Sequence, residues 1–216
     1  MIAAEAISPP DRFSPNGEEV SESSLSGENA ERSVRAPLVI DHADAVIIAK
    51  KVIDALDPFC DEFAIAGDLR RGCAKVASLD FVCLPKSSRE GDKLVDRLLR
   101  HARMVIMPDK SQAILLAVPR LGGDVRINIV KARHAVPGLF DSDPSNWGIR
   151  LMLCTGNASH NIRLKARAED RGWKLDAYRG ITDAAGRVIA SATEREIYDA
   201  LGLPWLEPHE RERVSF

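Results

Sequence analysis

Apolar and polar positions change period several times along this chain, and each change marks an element. From Ile40 the spacing is helical: Asp41 can cap a helix through about Asp57, with Val46, Ile47, Val52, Ile53 and Leu56 on its apolar stripe. Pro58 stops it. Phe63-Ala64-Ile65-Ala66 reads as a short buried strand ended by Gly67, and Leu79 to Leu84 as a second strand after a basic loop. Gly91 to His101 has the pattern of an amphipathic helix, and further strands are predicted over Arg103–Met107 and Ala113–Val118. After Gly122-Gly123, the segment Asp124–Val130 alternates, with Val125, Ile127 and Ile129 on one face and Asp124, Arg126 and Asn128 on the other. The pattern predicts an α+β architecture, a mixed sheet with flanking helices.

From Asn146 helices dominate. Trp147 to Cys154 is apolar enough for a buried helix closed by Thr155-Gly156, and Asn157 or Ser159 can cap a second helix running to Arg171. Leu175 to Ala190, with turn points at Gly180 and Ala185-Gly186, suggests short antiparallel strands. Thr193-Glu194-Arg195-Glu196 is a capping box that opens a last helix, ended by Gly202 and Pro204.

Composition adds bounds. Of the 216 residues, 45% are hydrophobic and 29% charged, as in an ordinary globular protein with a substantial core. Neither a secretory signal nor an apolar run of roughly 20 residues is present, so a cytoplasmic protein with no membrane contact is expected. The four cysteines (Cys60, Cys73, Cys83, Cys154) form no CxxC pair, which argues against a disulfide frame or a structural zinc. The net charge of −2 is uneven: residues 1–36 carry −4, leaving +2 on the remaining 180. That first segment holds seven serines and three prolines without apolar periodicity, so a disordered acidic tail is expected there, a candidate tether for a protein partner.

Two features suggest chemistry. Gly67-Asp68-Leu69-Arg70-Arg71-Gly72 lies between strands, where glycine turns present N–H groups and arginines pair with phosphate oxygens; a solvated basic loop is the plainer reading. Asp80 stands inside an apolar strand, where a carboxylate is costly unless paired or bound to metal. An ion pair with Arg70, Arg71 or Arg126 and a metal-ligand role are both open.

These residues carry a resemblance. Ala66-Gly67-Asp68-Leu69-Arg70-Arg71-Gly72 followed by the Asp80 strand resembles the palm of the family X DNA polymerases, the polymerase beta group. Thr155-Gly156-Asn157-Ala158-Ser159-His160-Asn161-Ile162-Arg163-Leu164 is similar to that family's TGS…HNxxLR segment, and Ser191 to Trp205 resembles the end of its thumb. The resemblance implies a nucleotidyltransferase-type palm over 37–145 and a thumb over 146–216, with no counterpart of the family's hairpin and lyase segments. It implies phosphate contacts at Gly67, Asp68, Arg71, Gly72 and Gly156 and DNA contacts at Asn161, Arg163, Lys165 and Arg167. The partner would be double-stranded, gapped or primer–template DNA.

The departures fall on the site itself. The family holds two Mg²⁺ ions on three aspartates; the corresponding positions here are Ser78, Asp80 and Asn128, so one anionic metal ligand, Asp80, survives. Asp124 shares a strand with Asn128 but stands about 13 Å away along it. Asp68 replaces a serine and would repel phosphate, Ala77 replaces a glycine, and Leu153-Cys154 replace an aromatic pair. Three readings follow: a DNA-binding pseudoenzyme, an active nucleotidyltransferase using Mg²⁺ or Mn²⁺ through an altered site, and a non-catalytic protein-interaction module. In the first, Arg71 and Arg126 serve to neutralise Asp68 or Asp80.

Overall fold

Strand formation follows the alternation closely in the segment around Ile127, and that strand organises the rest. The computed structural model describes residues 38–100, 104–109, 113–120, 123–138 and 143–212, all within one unit of the chain, Val34–Phe216. The acidic segment 1–36 lies outside the described residues.

A strand β1 (Ile40–Asp41) leads into helix α1 (His42–Leu56); β2 (Cys60–Ala66), the single turn α2 (Gly67–Arg70), β3 (Lys75–Val76), β4 (Leu79–Pro85) and α3 (Ser88–Leu99) follow. The strands β5 (Met104–Asp109), β6 (Ala113–Arg120) and β7 (Gly123–Lys131) complete a sheet in the order β2-β4-β7-β6-β5. Its strands are antiparallel except for β4 and β7, whose parallel register sets Asp80 beside Asn128. Beyond it lie α4 (Trp147–Thr155), α5 (Ala158–Glu169), the small antiparallel sheet β8 (Lys174–Asp176), β9 (Gly180–Thr182) and β10 (Val188–Ala190), and α6 (Glu194–Leu201). This is the α+β architecture that the pattern predicts.

Alternation decides which side chains each sheet face buries. Leu79, Phe81 and Cys83 of β4 and Val125, Ile127 and Ile129 of β7 join Ala45, Ala49 and Leu56 of α1 and Leu94 and Leu98 of α3 in one core. The other face carries Ala66, Val82 and Leu84, which meet Ala132 and Leu151. A further core gathers Ile149 and Met152 of α4 with Leu164, Ala168, Ile181, Ile197, Tyr198 and Leu201. Helix α4 thus serves two cores, which explains why its sequence is apolar nearly all round.

Some local expectations are corrected. Val46 and Ile47 are 47% and 55% exposed, because α1 turns its Ala45, Ala49 and Leu56 edge inward; small residues there let helix and sheet approach closely. Asp124 shares the face of Arg126 and Asn128 but is buried there. Helix α3 begins three residues early because the Ser87 hydroxyl accepts from the Glu90 amide. Asn157, not Ser159, caps α5, accepting from the His160 amide at 2.8 Å, and α5 ends at Glu169 in a turn that closes on Gly172. Thr193 and Glu196 form the expected capping box. No helix among the described residues is long and apolar enough to cross a membrane.

Candidate functional site

Asp80 sits where β2, β4 and β7 converge: across the sheet it faces Ala66 on one side and Asn128 on the other. Gly67, immediately after β2, adopts φ +59° and lies so close that an added Cβ would stand 2.1 Å from Asp80 Oδ2. Only glycine satisfies both the left-handed backbone and the contact. The Ser78 hydroxyl donates to Oδ2 at 2.9 Å and the Asn128 amide donates to Oδ1. The hydrogen-bond partners of Asp80 are therefore two neutral side chains, not Arg70, Arg71 or the exposed Arg126. Burial raises the Asp80 pKa, and the donors Asn128 and Ser78 only partly oppose it, with the Asp68 charge adding to the rise. Beside it the Cys154 thiol is pushed up to about 12, first by burial and then by the Asp80 charge. That thiol is neutral at any ordinary pH.

The arginines of the loop are committed elsewhere. Arg71 is buried and donates through Nη2 to Asp68 Oδ1 at 2.6 Å, through Nε to Glu212 and through Nη1 to the Thr155 carbonyl. Asp68 uses its other oxygen to accept from the Ala77 amide at 3.1 Å. So Asp68 is neutralised by Arg71 and braces its own loop. Glu212 also accepts from Cys73 and Asn157. Burial would raise the Glu212 carboxyl, but the Arg71 hydrogen bond and charge reverse this and lower its pKa.

Arg70 points into the C-terminal part of the chain. It forms a two-pronged pair with Glu194, Nη1 to Oε1 at 2.9 Å and Nη2 to Oε2 at 2.7 Å, and donates to the Thr155 hydroxyl at 2.6 Å. Arg211, wholly buried, donates to Glu194 Oε1 at 2.7 Å. Burial alone would raise Glu194, yet the Arg70 hydrogen bond and the Arg211 charge lower it. Sequence reading missed Glu194, Arg211 and Glu212. Glu194 was concealed inside the capping box, where Glu196 does the capping.

Several residues expected at phosphate or DNA have structural duties. Gly156 closes α4 so tightly that a Cβ would come 2.4 Å from His160 Nδ1 and 2.5 Å from Asn161 Oδ1. Asn161 donates to the Leu153 carbonyl at 2.8 Å, satisfying the end of α4. Arg167 and Arg171 donate to the Leu201 and Ala200 carbonyls at 3.2 and 2.7 Å, capping α6. Of the remaining basic residues on α5, Arg163 is half-buried and Lys165 is exposed, loosely paired with Glu169 at 4.0 Å. Gly72 adopts φ +75° with open space at its Cβ, so only its backbone conformation requires glycine.

Mg²⁺ demands near-octahedral oxygen donors and favours carboxylates. The donors gathered around Asp80 are one carboxylate, one hydroxyl and one amide, and both carboxylate oxygens already accept hydrogen bonds. This set does not fit a pair of divalent ions. Among the described residues, a grouping of three ionisable ligand atoms occurs instead at Asp68, Cys73 and Glu212. Arg71 already pairs both of its carboxylates.

With this geometry the comparisons agree on a class. The sequence model for the DNA polymerase beta thumb matches residues 150–212, and the chain is a relative of the family X DNA polymerases. DNA polymerase lambda of Arabidopsis thaliana is 39% identical over 165 residues, 67% of this chain and 31% of the relative. DNA polymerase lambda of Rattus norvegicus is 31% identical over 165 residues, 68% of this chain and 28% of the relative. The DNA polymerase/3′-5′ exonuclease PolX of Bacillus subtilis is 25% identical over 170 residues, 78% and 28% respectively. The chain thus spans less than a third of the length of these relatives.

Proposed function

We propose that this chain binds gapped or primer–template DNA, in replication or repair, on a polymerase-type scaffold whose nucleotidyl transfer is impaired. The palm would span 37–145 and the thumb 146–216. The observation that carries the reading is the single carboxylate at the sheet junction. Asp80 is hydrogen-bonded by Ser78 and Asn128, positions at which the resemblance would place two more aspartates. Nucleotidyl transfer of this class depends on ions that neutralise the triphosphate and activate the attacking hydroxyl. One carboxylate supplies neither the charge nor the ligand count for two of them. DNA affinity can survive that loss, since it rests on cations aimed at phosphates. Lys165 is the cation of α5 best exposed for the role.

The test is single-nucleotide insertion on a one-nucleotide-gapped duplex with Mg²⁺ and separately Mn²⁺, with Asp80→Ala as background, and the same mixtures run on native gels at several salt concentrations. The reading expects no insertion above background, a gel shift that weakens steeply with salt, and a salt slope reduced by about one in Lys165→Ala. Insertion that depends on Asp80 would make the chain an active polymerase with an altered site. Absence of both signals would move the function to a protein partner of the acidic segment 1–36.

A further inference from the structure

A guanidinium that receives two carboxylates from separate parts of the chain is an occupied anion site. Arg71 is buried, yet it borders an open cleft of about 710 Å³ lined by Gly72, Cys73, Ala74, His209, Glu210 and Glu212. Asp68 takes its Nη2 edge from three residues away, within the same turn. Glu212 takes Nε from 141 residues away, carried in on the short turn Pro208–Glu212. The two carboxylates outnumber the one cation they share, and Glu212 also accepts from Cys73 and Asn157. Charge balance alone needs only Asp68, so Glu212 is the surplus anion.

We infer that Glu212 is a tethered plug: it fills, from inside the chain, a position at Arg71 that a phosphate group entering the cleft would otherwise take. Carboxylate and phosphate oxygens accept the same donors in the same geometry, so the two compete for one guanidinium edge. Asp68 remains in place as local bracing, while Glu212, a third exposed and at the cleft wall, is the removable member. The inference is independent of DNA binding, and its readout needs no nucleic acid.

The probe is inorganic tripolyphosphate, titrated calorimetrically into the full chain and into Glu212→Gln. The amide removes the charge with little change of shape, and affinity is expected to rise about tenfold, the effect of one charge-assisted hydrogen bond. The gain should vanish in Glu212→Gln combined with Arg71→Ala, with thermal melts confirming that each variant is folded. Cys73 supplies a second readout. Its pKa is raised first by burial and further by Glu212, against the Arg71 charge. Its alkylation by iodoacetamide, followed site by site by mass spectrometry, should therefore accelerate in Glu212→Gln. Equal tripolyphosphate affinity in wild type and Glu212→Gln overturns the inference even where Cys73 has become more reactive. A gain that persists without Arg71 overturns it as well.

Discussion

Replacing Glu194 by glutamine should be among the most damaging single-atom changes in this chain. Its side chain is 7% exposed and accepts from Arg70 twice and from Arg211 once, while Arg211 is 0% exposed. The amide keeps the volume but removes the charge and turns an N–H toward a guanidinium. Two arginines are left without their shared anion, one of them out of reach of water. Removing one member of such a buried set costs about 3–5 kcal/mol. At a urea slope near 2 kcal/mol/M, the unfolding midpoint should fall by about 2 M. Urea titration followed by circular dichroism reads this directly. The companion variant Arg70→Met/Glu194→Leu/Arg211→Met leaves no orphan charge and should lose less than the single change. Acid adds a check. The Glu194 pKa is lowered in the fold from its ordinary 4.5, so its contribution is present above pH 4.5 and is lost as pH falls below it. Glu194→Gln should flatten that limb of the stability curve. A midpoint within about 0.3 M of wild type, or a triple variant less stable than the single one, would refute the reasoning.

Three other outcomes follow from the same geometry. Gly67→Ala places a Cβ 2.1 Å from Asp80 Oδ2 at φ +59°, so it should destabilise by more than the roughly 1 kcal/mol of an ordinary left-handed alanine, read as a lowered thermal midpoint. Asp80 has a raised pKa, so its contribution is favourable below pH 3.8 and is lost as pH rises through the folded value; Asp80→Asn should therefore be more stable than wild type at pH 7 and lose that advantage in acid, and equal stability at both pH values would contradict it. His160 is buried against the Tyr198 hydroxyl at 2.7 Å, and burial lowers its pKa below 6.5 despite Asn161. Wild-type stability should fall as pH drops below 6.5, and His160→Gln should remove that dependence in paired melts.

Much of the element order was readable because periodicity is local. The β7 alternation, the start of α5 near Asn157 or Ser159 and the Thr193–Glu196 box each depend on residues within a few positions of one another. The same locality misplaced the stripe of α1: Val46 and Ile47 are as apolar as Val52, and only the approach of the sheet decides which edge turns inward. The resemblance likewise placed Arg167 of α5 at DNA, on residue identity and order. Whether Arg167 meets a phosphate or a helix end depends on where the Leu201 carbonyl arrives.

The sequence by itself determined the succession of helices and strands, the family relationship and the residue types available around Asp80. All three are matters of residue identity and short-range order. The tertiary structure alone decided which charges meet. Arg70 finds Glu194 across 124 residues and Arg71 finds Glu212 across 141. A charged side chain in a sequence states its sign but not its partner; desolvation selects that partner only when distant segments fold into the same dry space.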